Sequence, residues 1–290
     1  MNLIRRIINT FLYQTAPLWP DELYLRLRFF CFFGYLPNLK NPNTFNEKLN
    51  WLKLHYHNPV MPILADKYAV KDYVTDKIGK DYVVPCYGVW EHFDDIEFNS
   101  LPKRFILKTT GDSGGTYVCH DKSNINLQKA RDILERGIAK NYYYYGREWA
   151  YKEIKPRIIA EYLLDDNSGH ELTDYKFWCF DGNPLIMYIT NKGSTIYENF
   201  YDMDFKPMNI NHGFPRKTPE FDKPVDFEEM KSLARKLSKD LPFVRVDFFD
   251  VDGKVYFGEY TFYDWGGLQP FLSKEDDLNV GQYLKLPNII

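Results

Sequence analysis

The stretch Arg104-Phe105-Ile106-Leu107-Lys108-Thr109-Thr110-Gly111-Asp112-Ser113-Gly114-Gly115-Thr116-Tyr117-Val118-Cys119 decides the fold class. Residues 104–109 read as a strand, residues 116–119 as a returning strand, and the glycines between them as a loop. Because a strand and not a helix follows the glycines, the two helix-linked phosphate motifs, the Walker loop and the dinucleotide fingerprint, do not apply. The loop is either a plain turn or a flap over phosphates. In the second case Gly111, Gly114 and Gly115 let backbone N–H groups approach phosphate oxygens, and Lys108 places an ammonium beside them.

Outward from this unit the pattern repeats. Tyr175 to Phe180 turns at Asp181-Gly182 and returns through residues 185–189, and Phe243 to Asp250 turns at Asp252-Gly253 and returns through residues 254–262. A helix is expected over residues 127–139. A short apolar run, Ile158 to Leu164, is interrupted by the single acid Glu161. A further helix starts at Asp226, with Glu229 at capping-box spacing and Met230, Leu233, Ala234 and Leu237 as its buried face. Upstream, residues 1–62 read as helical: Thr44 and Glu47 have capping-box spacing, and Leu49, Leu52 and Leu54 follow. A second helix runs from Asp66, its cap, through Lys67, Tyr68, Val70 and Val74, before Tyr82-Val83-Val84-Pro85 becomes extended. Hairpins dominate over strand–helix–strand crossovers, so the expected class is α+β with antiparallel sheets. The expected divisions are a helical segment 1–62, a lid subdomain 63–162 carrying the glycine loop, and a C-terminal subdomain 163–290.

A chain of 290 residues can bury a sizeable core divided around one cleft. With 37 basic and 40 acidic residues, the net charge of -3 gives no electrostatic reason to bind nucleic acid. Cys31, Cys86, Cys119 and Cys179 are too dispersed for a zinc site. With no secretory signal and no apolar run of spanning length, they fit free thiols in a reducing cytoplasm. Within residues 3–12, Leu3, Ile4, Ile7, Ile8, Phe11 and Leu12 share a helical face with Arg5 and Arg6 elsewhere. That helix either docks on the core or makes peripheral contact with a membrane. The run Tyr142-Tyr143-Tyr144-Tyr145 suits either core packing or stacking on sugars.

The last hairpin carries the acids. Arg245 and Asp247 share one strand face, and Glu259 and Thr261 share a face of the returning strand. A two-residue loop at Asp252-Gly253 would pair Asp247 with Gly258 and send Glu259 to the opposite face. A three-residue loop would set Arg245 across from Glu259 and make Asp247 and Glu259 diagonal neighbours, about 7–8 Å apart at Cβ, a span two carboxylates can bridge to one magnesium ion. The alternatives are solvated acids or an Arg245–Glu259 pair. Carboxylates among aromatics need a cation or strong hydrogen bonds.

These pieces stand in the order seen in ATP-grasp enzymes. Asp66-Lys67, Phe105-Ile106-Leu107-Lys108 with residues 111–115, Ile159-Ala160-Glu161-Tyr162-Leu163, and Arg245-Val246-Asp247 with Gly258-Glu259-Tyr260-Thr261 resemble the family's four signatures. The chain more closely resembles the TupA-like ATP-grasp group of surface-polysaccharide loci, through Thr44-Phe45-Asn46-Glu47-Lys48-Leu49, Ala65-Asp66-Lys67-Tyr68, Asp112-Ser113-Gly114-Gly115, Asp174-Tyr175-Lys176-Phe177 and Phe243 to Asp247. Many members carry a glycosyltransferase label. Thr261 stands where many ATP-grasp ligases have asparagine.

The resemblance implies two α+β subdomains enclosing a nucleotide cleft, with ATP and Mg2+ as cofactors. It implies that Lys67, Lys108, Gly111, Asp112, Ser113, Gly114, Gly115, Glu161, Tyr162, Leu163 and Lys176 contact the nucleotide, and that Asp247, Glu259 and Thr261 hold the metal. Arg245, with Lys176, would serve the reaction, and residues 263–267 would line an acceptor pocket. The implied chemistry is carboxylate–amine ligation through an acyl phosphate. Its partners would be a surface-polysaccharide precursor and an amine donor, and its location the cytoplasm or the inner face of the membrane. Two rivals remain: a phosphotransferase acting on a sugar or lipid hydroxyl, and a non-catalytic partner of a glycosyltransferase.

Overall fold

A computed structural model describes residues 2–166, 171–192 and 195–288. In chain order the helices and strands are α1 (Leu3–Gln14), α2 (Asp21–Phe33), α3 (Phe45–His55), α4 (Met61–Ala65), α5 (Val70–Ile78), β1 (Cys86–Trp90), β2 (Phe105–Thr109), β3 (Thr116–Cys119), α6 (Leu127–Ile138) and α7 (Tyr143–Gly146). There follow β4 (Ile158–Glu161), β5 (Asp174–Phe180), β6 (Asn183–Lys192), β7 (Ile196–Tyr201), β8 (Pro207–Met208), α8 (Phe227–Leu237), β9 (Phe243–Val251), β10 (Lys254–Thr261) and α9 (Lys274–Tyr283). All strand pairs are antiparallel, in a four-stranded sheet of order β1-β4-β2-β3 and a six-stranded sheet of order β10-β9-β5-β6-β7-β8. This is the expected α+β arrangement.

Each sheet has one apolar face and one working face, as alternation along a strand dictates. In the smaller sheet Phe105, Leu107, Ile158 and Ala160 are buried with Ala130 and Leu134 of α6. The alternate positions Ile106 and Lys108 on β2 lie beside Glu161 and Ile159 on β4 and face the cleft. In the larger sheet Phe177, Val246 and Phe248 belong to the main core with Phe227, Met230, Leu233, Ala234 and Leu237 of α8. Each of the larger of these side chains, Val, Leu, Phe or Met, contributes roughly 1.5–3 kcal/mol on burial. The cross-strand rows place Arg245, Asp247, Lys176, Tyr188, Thr190 and Glu198 together on the other face.

Local signals explain most element ends. Thr44 and Glu47 form a complete capping box at α3, whereas α5 begins at Val70 and not at Asp66, whose Oδ1 instead accepts from the backbone N–H groups of Tyr68 and Ala69 in the turn before it. Asp226 does stand at the start of α8, but its side chain makes no capping bond, because its backbone is turned out of the extended conformation a cap requires. The first helix docks on the body through one end of its apolar face. Leu12 is buried, with Ile8 packed beside it, while Leu3, Ile4, Ile7 and Phe11 remain exposed. Among the described residues no helix is long and apolar enough to cross a membrane.

The acidic hairpin departs from the expected geometry. Lys254 pairs with Val251, so the turn is the two-residue Asp252-Gly253 loop and not the three-residue one. Both turn residues have positive φ, 55° and 75°, the conformation that favours Asp-Gly in such turns. That register alone would send Glu259 to the wrong face. Farther along, Phe257 stands opposite Phe248 but Tyr260 opposite Val246, so Gly258 and Glu259 together oppose Asp247. This β-bulge shifts the register by one and returns Glu259 to the face of Asp247. Arg245 pairs across the ladder with Thr261, not with Glu259.

Candidate functional site

Between the two sheets lies a cleft of about 370 Å³. From the turn before α5 it receives Lys67, from α5 Lys71, from the smaller sheet Lys108 and Glu161, from the glycine loop Asp112, Ser113 and Gly114, and from the larger sheet Lys176, Asp247 and Glu259. Tyr162 and Leu163 also line it, with an apolar slot that includes Val70, Val84 and Ile106. The strands that converge here are far apart in sequence, and only the two-sheet arrangement joins them.

Glu161 is buried between two lysines. Lys108 Nζ lies 2.8 Å from its Oε2, and Lys71 Nζ pairs with Oε1. Burial alone would raise the carboxyl, but Lys108 and Lys71 outweigh that and hold it below the ordinary range. Burial lowers Lys67, an effect opposed mainly by Glu259 and Asp112. Its ammonium donates to the Asp112 carbonyl, and its own backbone N–H donates to Thr110 at 3.1 Å. Lys67 thus fastens the glycine loop from below. Lys71 was not foreseen from the sequence. Its four-residue spacing from Lys67 is the signal that could have found it.

Not every glycine in the loop faces the cleft. A side chain at Gly111 would meet Ile154, and one at Gly115 would overlap the Thr109 hydroxyl at 1.9 Å. These two glycines permit tight backing of the loop against the body, and only Gly114 of the three lines the cleft.

On the larger sheet Arg245 organises the acids. Its guanidinium donates to Asp247 Oδ1 and Oδ2 at 2.7 Å, to Glu259 Oε1 at 2.8 Å and to Asp264 Oδ1 at 2.6 Å. Lys176 Nζ donates to Asp247 Oδ2 at 2.7 Å. Burial would raise Asp247, but Arg245 and Lys176 prevail and hold it below the ordinary carboxylate range. Glu259 is about half exposed, with a side-chain accessibility of 47%. The pairing of Arg245 with Glu259 read from the sequence as an alternative to metal binding is therefore present, and Asp247 shares the same guanidinium. Among the described residues no group of three or more His, Cys, Asp or Glu has metal-holding geometry. The two carboxylates nevertheless fit magnesium, a hard cation that takes oxygen donors and shares its shell with phosphates and water. Thr261 Oγ1 lies 3.3 Å from Glu259 Oε1, but it faces the next cavity, not the cleft.

That second cavity, about 630 Å³, adjoins the first. Arg245, Tyr142, Tyr145, Glu148, Tyr263 and Trp265 are among its walls. The tyrosine run is thus divided: Tyr143 is core, while Tyr142 and Tyr145 face the cavity. Tyr263, Trp265 and Gly266 of the segment 263–267 line it. Lys53, fully buried on α3, donates to the carbonyls of Gly146 and Gly266 at 2.8 and 2.6 Å and so joins two of the cavity walls. Asp112, Ser113, Lys176 and Glu259 border both spaces.

The sequence matches the family model described as TupA-like ATPgrasp over residues 47–285. No curated protein sequence matches it. Among solved structures the chain is similar to the D-alanine-D-alanine ligase of Helicobacter pylori, with 20% identity and a TM-score of 0.44 over 77% of this chain and 62% of that one. It is similar to D-cycloserine synthetase DcsG, with 16% identity and a TM-score of 0.42 over 78% and 71%. It is also similar to the ATP-grasp ligase PsnB, with 12% identity and a TM-score of 0.41 over 71% and 55%; PsnB has been solved with Mg and ADP. The chain spans 55% and 62% of the lengths of PsnB and the Helicobacter pylori ligase, and these likenesses concern the fold alone. With a family model that accounts for residues 47–285, the chain belongs to the TupA-like ATP-grasp family.

Proposed function

We propose that the protein is an ATP- and magnesium-dependent carboxylate–amine ligase that acts on a precursor of a bacterial surface polysaccharide, such as a capsule, O-antigen or teichuronopeptide. The observation that carries this reading is the shared border of the two cavities, formed by Asp112, Ser113, Lys176 and Glu259. A triphosphate held by Lys67, Lys108 and Lys176 would end at that border, where an acceptor in the larger cavity can meet it. Aromatic walls suit a ring-bearing acceptor, and the family's polysaccharide context supports its class. Dependence on ATP places the reaction in the cytoplasm.

In this reading an acceptor carboxylate oxygen attacks the γ-phosphorus as its bond to the bridging oxygen breaks, which releases ADP and leaves an acyl phosphate. An amine then attacks the acyl carbon, the bond to the phosphate oxygen breaks, and an amide, inorganic phosphate and a proton result. Bound magnesium would supply charge neutralisation at the phosphates, held by Asp247 and Glu259. Lys108 and Lys176 orient the phosphates from opposite sheets, and Arg245 keeps Asp247 and Glu259 in place. The test has two stages. Saturation with a non-hydrolysable ATP analogue and magnesium, at about 100 times its dissociation constant, should stabilise the native chain by about 2.7 kcal/mol. Lys108→Ala and Glu259→Ala should lose most of that shift. Acceptor-dependent release of ADP with inorganic phosphate then supports the ligase, whereas ADP with a phosphorylated acceptor marks a phosphotransferase. No nucleotide shift in the native chain would sink both enzymatic readings.

A further inference from the structure

The larger cavity has a floor that the nucleotide chemistry does not use. Thr190 of β6 and Glu198 of β7 are cross-strand partners, and both lie on the face that carries Lys176 and Asp247. Both also border the cavity. His212 and Asp264 approach Glu198 from loops outside the sheet. His212 Nδ1 lies 4.0 Å from Glu198 Oε2 and 3.8 Å from Asp264 Oδ2. Trp178, Phe200 and Phe271 enclose the histidine ring, with centroids 5.6, 6.3 and 4.5 Å away.

Among the described residues, both carboxylate oxygens of Glu198, His212 Nδ1, Asp264 Oδ2 and Thr190 Oγ1 are buried without a hydrogen-bond partner. Glu198, His212 and Asp264 are each 1% exposed. Folding stability does not select such a group, since each unsatisfied buried polar atom is destabilising. Other atoms of the same cluster are well satisfied: Asp264 Oδ1 accepts from Arg245 at 2.6 Å and from the Tyr188 hydroxyl at 3.0 Å. The unpaired atoms are therefore concentrated on one side of a fixed network. The 4.0 and 3.8 Å separations are not ion pairs, because burial lowers His212 to about 4 and leaves it neutral at physiological pH.

Deepening the ligase reading, on which this step rests, we propose that Glu198, at the border of the larger cavity, together with His212 and Asp264 just beyond that border, forms the recognition pocket for a primary amine of the molecule that fills the cavity. Nitrogen donors sit about 2.7–3.2 Å from their acceptors, so one amine nitrogen can bond to both ends of either the 4.0 Å or the 3.8 Å edge. A primary ammonium carries three donors and no acceptor, which matches a pocket of oxygens and one ring nitrogen. A hydroxyl carries one donor and leaves most of these atoms unsatisfied. Burial raises Glu198 to about 8, with Asp264 adding to the rise. An arriving amine thus meets a carboxyl whose proton affinity is close to its own.

The test uses the whole chain with a non-hydrolysable ATP analogue and magnesium. Ethanolamine, glycinamide and glucosamine are each compared with the hydroxyl twin, ethylene glycol, glycolamide and glucose, by ligand-observed NMR titration. At least one amine is expected to bind fivefold or more tightly than its twin, and Glu198→Gln to remove that preference while the nucleotide-induced thermal shift persists. Equal binding of every amine and its twin overturns the proposal, and this comparison needs no variant. A preference that survives in a folded Glu198→Gln chain overturns it too. If the nucleotide gives no shift but the amine preference is present and lost in Glu198→Gln, the amine pocket stands and the ligase reading fails. A nucleotide shift without amine preference has the opposite meaning.

Discussion

At the scale of single residues, the buried acids behave in two ways, and their partners decide which. Glu161 and Asp247 each meet two cations and stay ionised below the ordinary range. Glu198 meets none within bonding distance and is raised from 4.5 to about 8. Linkage turns the second case into a prediction. A carboxyl that binds its proton more tightly when folded contributes stability that is complete below 4.5 and is lost as pH rises through about 8. His212 acts oppositely: lowered from 6.5 to about 4, it makes the folded state gain stability as pH rises between those values. The two trends oppose each other up to pH 6.5, and from 6.5 to about 8 Glu198 acts without His212. The native chain should therefore lose thermal stability from pH 6.5 to 8, and Glu198→Gln should flatten that decline. Melting curves at half-unit pH intervals decide the matter, and an equally steep decline in the variant would refute the assignment.

Individual elements explain what could and could not be read beforehand. The capping box at Thr44 and the Asp-Gly turns were legible because each signal lies within a few residues. The strand β7, Ile-Tyr-Glu-Asn-Phe-Tyr, was not, because Glu198 and Asn199 in its centre look like loop residues until tertiary contacts show that they are buried. The helix α9 was missed for a related reason: its sequence KEDDLNVGQY offers few apolar positions and contains Gly281. Gly281 is needed because a side chain there would press on the Asn43 carbonyl at 2.4 Å. The acid pair at Asp247 and Glu259 was foreseen, but the bulge that makes it was not, since a turn sequence fixes only the register next to the turn. Gly258 holds that bulge: an added Cβ would lie 3.1 Å from the Asp247 carbonyl and 3.2 Å from Phe249. Gly258→Val is expected to cost about 1–3 kcal/mol, the range for overpacking a fitted site. The nucleotide-induced shift should fall by more than this loss explains, because Glu259 is turned away from Asp247. A variant that keeps the full shift would show that the bulge does not position Glu259.

The molecule as a whole divides its candidate binding groups between two sheets that share no strand. Lys108 and Glu161 belong to the smaller sheet, Lys176, Asp247 and Glu259 to the larger, and the glycine loop leans over the cleft between them. Lys67 stands at the junction: its ammonium holds the Asp112 carbonyl of the loop, and Glu259 and Asp112 are the main charges opposing its deprotonation. A ligand that touches only one sheet would stabilise that sheet alone. A ligand that bridges both should resist opening of the cleft, so protection should appear on both sides at once. Hydrogen exchange with the ATP analogue and magnesium is therefore expected to slow in residues 111–115 and in residues 256–261 together. A gain of about 1.4 kcal/mol corresponds to roughly tenfold slower exchange where opening limits it. Lys108→Ala removes a contact from the smaller sheet only, yet it should reduce protection in the distant hairpin as well. If that hairpin keeps its protection in Lys108→Ala, the ligand sits on the larger sheet and the two halves do not close on it together.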